Sequence, residues 1–146
     1  MANTATVTLY DSMVAAPGKK IRRLKWAWAV TGTTTAAPGG ATQRPVTGHI
    51  LGIKAVPGVG AGHAPKAAYD IDILDAENGM NVLNDAGDNF AQGITDVGNI
   101  RVPVDSQNSQ PIPLVEETLS FSGANLSDGG GADAADGVFY LYIVEP

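Results

Sequence analysis

The sequence predicts an all-β protein, a compact antiparallel sandwich or barrel of about seven to eight short strands. Three observations predict it. Short runs alternate apolar and polar residues with the period of two that an extended backbone imposes. Turn-forming residues punctuate those runs, with 18 glycines and 9 prolines in 146 residues. No run of helical period reaches the length of an ordinary helix. Jelly-roll-like and Greek-key wirings both fit this pattern, which does not choose between them. One domain over residues 1–146 is expected, with an extended N-terminal segment as a variant.

Thr4 to Tyr10 alternates and reads as a first strand, followed by Asp11-Ser12-Met13 and a turn at Ala16-Pro17-Gly18. Ile21 to Thr31 is the second. Leu24, Trp26, Trp28 and Val30 share one of its faces, so the tryptophans fill either the chain's own core or a subunit interface. Gly32 to Thr42 is too rich in Gly, Pro and small residues to suggest a buried element. Val46 to Val56 is a strand that Gly48 and Gly52 weaken or bend. Across a polar loop from Gly60 to Pro65 it leads to Ala68–Leu74, as a hairpin or an inter-sheet arch.

In that next strand Tyr69, Ile71 and Ile73 oppose Asp70 and Asp72, the signature of a half-wetted sheet face. After a turn from Asp75 to Gly79, Met80 to Leu83 is a strand or one turn of helix. Ala91 to Val97 is the nearest helical competitor. Ile100 to Val104 is a short edge strand, because Pro103 donates no ladder hydrogen bond. Leu114 to Ser122 reads as one alternating strand, and a glycine-rich loop from Asp128 to Gly137 precedes the last, Val138 to Val144. There Phe139, Leu141 and Ile143 oppose Val138, Tyr140, Tyr142 and Val144, so bulk on both faces predicts a central or covered strand.

The formal charge of −6 and pI near 4.6 disfavour a dedicated nucleic-acid binder. Yet Lys19, Lys20, Arg22, Arg23 and Lys25 gather five of the nine basic residues, a set able to reach an acidic protein surface or the chain's own acidic half. With no cysteine, thiol catalysis and Cys-ligated metal are excluded. His49 and His63 form no metalloprotease motif, and Gly58-Val59-Gly60-Ala61-Gly62 lacks the lysine of a phosphate-binding loop. Asp70, Asp72, Asp75 and Glu77 lack the spacing of a calcium loop. No enzyme activity, metal or cofactor is expected. No run approaches the roughly 20 apolar residues that cross a bilayer, and no leader pattern opens the chain, so no membrane partner is expected.

Trp26-Ala27-Trp28, then Gly48-His49-Ile50-Leu51-Gly52-Ile53, then Tyr69-Asp70-Ile71-Asp72-Ile73-Leu74-Asp75-Ala76-Glu77-Asn78-Gly79-Met80-Asn81-Val82-Leu83 form an ordered set of blocks. Pro113-Leu114, Leu119-Ser120-Phe121, Asn125 and Gly137 to Ile143 extend it, so that it spans most of residues 24–144. The set resembles the small β-rich structural proteins of tailed bacteriophages, most of all the capsid decoration or cement proteins. The chain departs from them at Ile73 before Leu74 and in a longer glycine-rich insertion at Gly129 to Gly131, so the likeness carries fold further than assembly position.

The resemblance implies a virion protein, made in the bacterial cytoplasm, that binds the major capsid protein on the outer capsid surface and stabilises capsomer junctions. Self-association as a trimer comes with it. Candidate partner-interface residues are Arg22, Arg23, Trp26, Trp28, Phe121, Tyr140 and Tyr142. A head–tail or tail adaptor and a spike-base protein are alternatives within the virion. A module binding host-surface glycans is the alternative from another class, and it needs a concave aromatic surface.

Overall fold

The computed structural model describes residues 3–32, 34–92, 97–127 and 134–146. It is all-β: β1 (Thr4–Ala16), β2 (Lys19–Thr31), β3 (Ala37–Gly39), β4 (Val46–Pro57), β5 (Asp70–Asp75), β6 (Ile100–Arg101), β7 (Pro113–Glu117), β8 (Leu119–Ala124) and β9 (Ala135–Glu145), with one short 3-10 turn at Val97–Asn99. No helix among the described residues is long and apolar enough to cross a membrane.

Two sheets form the sandwich. The larger runs β1-β2-β9-β4-β6, with β7 also on β4, and the smaller runs β3-β8-β5. Every pairing between strands is antiparallel. The pairs nest inside one another: β2 with β9, β3 with β8, β4 with β7, and residues 69–74 with residues 81–90 through the bridges Leu74–Asn81 and Tyr69–Phe90. A long hairpin rolled across two layers has this wiring, which is that of a jelly roll. Residues 46–74 are therefore an inter-sheet arch, and β9 is central, between β2 and β4.

Several strands are longer than the sequence predicts. β1 continues through Asp11, Ser12 and Met13 to Ala16, because each pairs in unbroken register with β2 up to the turn at Pro17-Gly18. The stretch 32–42 does hold a buried element: β3 pairs with β8, and Ala37 is fully buried. Residues 114–122 are two strands rather than one. Glu116 has a φ of +51°, and the chain crosses from the larger sheet to the smaller at Thr118. Val115 and Phe121 share parity in the sequence, yet Val115 is 70% exposed while Phe121 is buried.

Met80–Leu83 is neither strand nor helical turn but a bridge at Asn81 followed by turns. Asn81 organises it, accepting from the N–H groups of Ile73 and Leu83 and donating to Asp72 and to the Asn84 carbonyl. Most of the Ala91–Val97 segment and residues 128–133 of the glycine-rich loop lie outside the described residues, while Ala135 to Gly137 belong to β9.

The core lies between the sheets. Alternation along β2 sends Leu24, Trp26, Trp28 and Val30 inward, and along β9 it sends Phe139, Leu141 and Ile143 to meet them. Trp26 packs 6.4 Å from Phe121 and 6.3 Å from Phe139, and Trp28 lies 6.0 Å from Tyr69. Each such side chain contributes roughly 1.5–3 kcal/mol by leaving water. Trp26 Nε1 donates to the Gly40 carbonyl at 2.7 Å, which folds the 40s loop over the core's edge. On the far side, Arg101 lies 4.2 Å over the Phe90 ring and donates to the carbonyls of Ala86, Asp88, Asn89 and Gly98, tying the loops beside β5 to the larger sheet.

Candidate interaction face

The outer face of the larger sheet is made by the residues of β2 and β9 that alternate with the core set. Register across four strands then places them in rows. Tyr10, Lys25, Tyr140 and Lys54 form one row, and Ser12, Arg23, Tyr142 and Gly52 the next. No carboxylate stands in either row.

The cations and rings of these rows are in contact. Lys25 Nζ lies 5.4 Å from the centroid of Tyr10 and 6.0 Å from that of Tyr140, and the Arg23 guanidinium lies 5.6 Å from Tyr140. Tyr140 and Tyr142 stack at 6.1 Å with 19° between their planes. Each exposed cation–π contact contributes about 0.5–1 kcal/mol, enough to hold the long basic side chains down on the rings. The result is a patch of aromatic surface carrying positive charge. Val138 and Val144, half-buried, flank it along β9.

Of the seven interface candidates, three belong to this patch: Arg23, Tyr140 and Tyr142. The other four are corrected. Trp26, Trp28 and Phe121 are core residues, as the alternative reading of the two tryptophans had it. Arg22 is fully buried, and its Nε and Nη2 donate to the two carboxylate oxygens of Asp11 at 2.9 and 2.6 Å. The Pro45 and Arg44 carbonyls accept its remaining bonds at 2.8 and 2.9 Å. Arg22 shares the parity of Leu24 and Trp26, so strand alternation carries it inward, where a guanidinium persists only when its charge and donors are matched. Tyr10, Lys25 and Lys54 complete the patch. Lys25 has the parity of Arg23, but the rows depend on the register of β1 and β4, which no local pattern reveals.

Acidic groups collect elsewhere. Around β5, burial raises the Asp72 carboxyl above its ordinary value, followed by the charges of Asp88, Asp70 and Asp85. Asp88 is raised in the same way, by burial and then by Asp70 and Asp85. The molecule is thus polarised, with a basic outer face on one sheet and aspartates beside the other. Asp136 on β9 pairs with His63 Nδ1 at 2.5 Å.

A second carboxylate group, Asp75, Glu77 and Glu117, places ligand oxygens within 4.8 Å of one another where β5 ends beside β7. Asp75 is already used locally, accepting the Glu77 N–H at 2.9 Å. Glu117 is held above its ordinary 4.5 by its hydrogen bond to Asp75, then by burial and by the Asp75 charge. A carboxyl raised on folding binds its proton more tightly in the folded state, so its contribution to stability is full at low pH and falls as pH rises through the folded value. Asp72 and Asp88 act with the same sign. Asp105, lowered by backbone hydrogen bonds from the Asn108 turn, acts oppositely but below 3.8. The urea midpoint is therefore expected to fall as pH is raised from 4.5 towards neutrality, and Glu117→Gln to flatten part of that fall.

No family model, curated protein or solved structure matches the chain.

Proposed function

We propose that the chain is a virion structural protein of a tailed phage. It binds the outside of the capsid and stabilises capsomer junctions by docking the basic–aromatic face of its larger sheet on acidic surface of the major capsid protein. The observation that carries this reading is the face itself. Aromatic residues with arginine are what protein interfaces enrich, and this chain of net charge −6 keeps a carboxylate-free pair of rows there. The jelly roll is a scaffold of viral capsid proteins and of lectins alike, so the fold supports the reading without selecting it. Clamping needs no catalysis, cofactor or metal. Modest contacts repeated over a closed lattice add up in the particle. Self-association as the trimer that the resemblance implies belongs to the reading.

Cryo-electron microscopy of virions encoded by the same genome tests this. Dense copies over capsomer junctions are expected, with particles lacking the chain bursting at lower temperature. A single ring at the neck or tail would make it an adaptor, and a few copies at a fibre would make it a spike base. Absence from particles together with saturable sugar binding at Tyr140 and Tyr142 would make it a glycan module. Arg23→Glu combined with Lys25→Glu is expected to weaken capsid binding about a hundredfold, since like charges across an interface cost several kcal/mol. Loss of the three cation–π contacts should cost the free protein about 1.5–3 kcal/mol, read separately by urea unfolding.

A further inference from the structure

We infer that β1 is a docking edge for a second copy of the chain, joining two larger sheets into one continuous sheet about a two-fold axis through Tyr10. This inference stands apart from the virion reading. β1 pairs with β2 on one side and with no strand on the other among the described residues, so alternate main-chain N–H and C=O groups along 13 residues face outward. Natural edges are blunted by lysine, proline, bulges or brevity. β1 has neither lysine nor proline, and its register with β2 runs without a break from Thr4 to Ala16; its one charge, the inward-facing Asp11, is neutralised by Arg22, with Arg44 3.9 Å away. Two large apolar side chains stand exposed on it, Tyr10 at 55% and Met13 at 50%.

The occupant follows from the sequence of the strand. Laid antiparallel on itself about Tyr10, β1 sets Leu9 against Asp11, Thr8 against Ser12, Val7 against Met13 and Tyr10 against its own copy. No like charges meet, and both exposed apolar side chains are covered. The opposite edge of the sheet cannot take β1 in its place. There β6 has two residues and β7 has five, opened by Pro113 and bent at Glu116. An edge that pairs only with itself closes a dimer, whereas one that paired with the opposite edge would grow rings or filaments. The two-fold pairing also brings the two basic–aromatic faces side by side, with Lys25 of each copy flanking the central tyrosines.

The chain has no cysteine, so single-cysteine variants report the contact directly. Residues opposite one another across antiparallel strands have Cα atoms about 4.5–5.5 Å apart, within disulfide reach. Tyr10→Cys is expected to form an intermolecular disulfide at micromolar chain on the order of a hundredfold faster than Thr4→Cys, whose counterpart in this register is Ala16, because pairing holds the thiols at an effective millimolar concentration. Native mass spectrometry of the unsubstituted chain is expected to give two copies. A mass of one or three copies overturns the inference. So does a dimer in which no single cysteine at positions 8 to 12 crosslinks faster than Thr4→Cys. Failure here leaves the virion reading standing, since that is read on particles.

Discussion

Gly48→Ala is expected to destabilise the protein by about 3 kcal/mol or more, lowering the thermal midpoint by roughly 10 °C in a chain of this size. Gly48 sits at a φ of +144°, where an L side chain is strained, and a Cβ there would lie 2.2 Å from the Val144 carbonyl oxygen. That oxygen is backbone of the central strand, so it cannot swing aside. The glycine marks the register shift between Val46 and Gly48, where β4 carries β7 on one side and β9 on the other. Gly52 marks the second shift in the same strand, but its φ is ordinary and the nearest obstacle to a Cβ is the Arg101 carbonyl oxygen at 3.4 Å. Gly52→Ala should therefore change stability by less than about 1 kcal/mol. Thermal or urea unfolding of the two variants side by side separates a glycine required by backbone geometry from one that merely tolerates it.

The second large effect concerns the buried ion pair. Asp11→Ala leaves the Arg22 guanidinium with two carbonyl acceptors and no counter-charge, which is expected to cost about 3 kcal/mol. The cost stays at the low end because the Asp11 side chain is 26% exposed and water reaches the gap. Arg22→Leu alone should cost less, about 2 kcal/mol, since the Pro45 and Arg44 carbonyls lose their donor while Asp11 keeps Arg44 at 3.9 Å and contact with water. Combining the two changes should cost less than their sum, with a coupling of about 2 kcal/mol, because neither charge is then left without its partner. A urea double-mutant cycle measures this. An Arg22 that served a partner instead would show no coupling, and its removal would leave the free protein's midpoint where it was.

How far the sequence discloses the molecule depends on the range over which each feature is determined. Parity along one strand is local, and it sorts Trp26 and Trp28 from Arg23 and Lys25, and Phe139 from Tyr140, without reference to any other element. Extended two residues back from Leu24, the same parity places Arg22 inside; charge alone misleads because a guanidinium is ordinarily an exterior group. Gly48 and Gly52 mark the two bulges of β4 from sequence as well. The break at Thr118 escapes notice because alternation continues through it in the letters, while Glu116 turns through a positive φ that its residue type does not announce. β3 is hidden for another reason: Ala37-Pro38-Gly39 has little propensity for a strand and becomes one through its pairing with β8. The rows of the interaction face lie furthest from local pattern, since they join residues from four strands whose order follows from the rolled wiring.

That wiring bears on how the protein comes into being at the ribosome. The strand that fills the middle of the larger sheet, β9, is synthesised after every strand it pairs with, and its ladder joins Lys20 to Glu145. Until it emerges, β2 and β4 have no common neighbour, and the aromatic side chains of β2 lack Phe139 beneath them. Contacts this distant along the chain make for slow folding, because the entropy of closing so long a loop is lost before the pairing rewards it. The nascent chain consequently spends its growth with apolar surface unburied, a state open to chaperone capture and to misassociation. Once seated, β9 is gripped on both sides by β2 and β4, so the strand made last holds the larger sheet together.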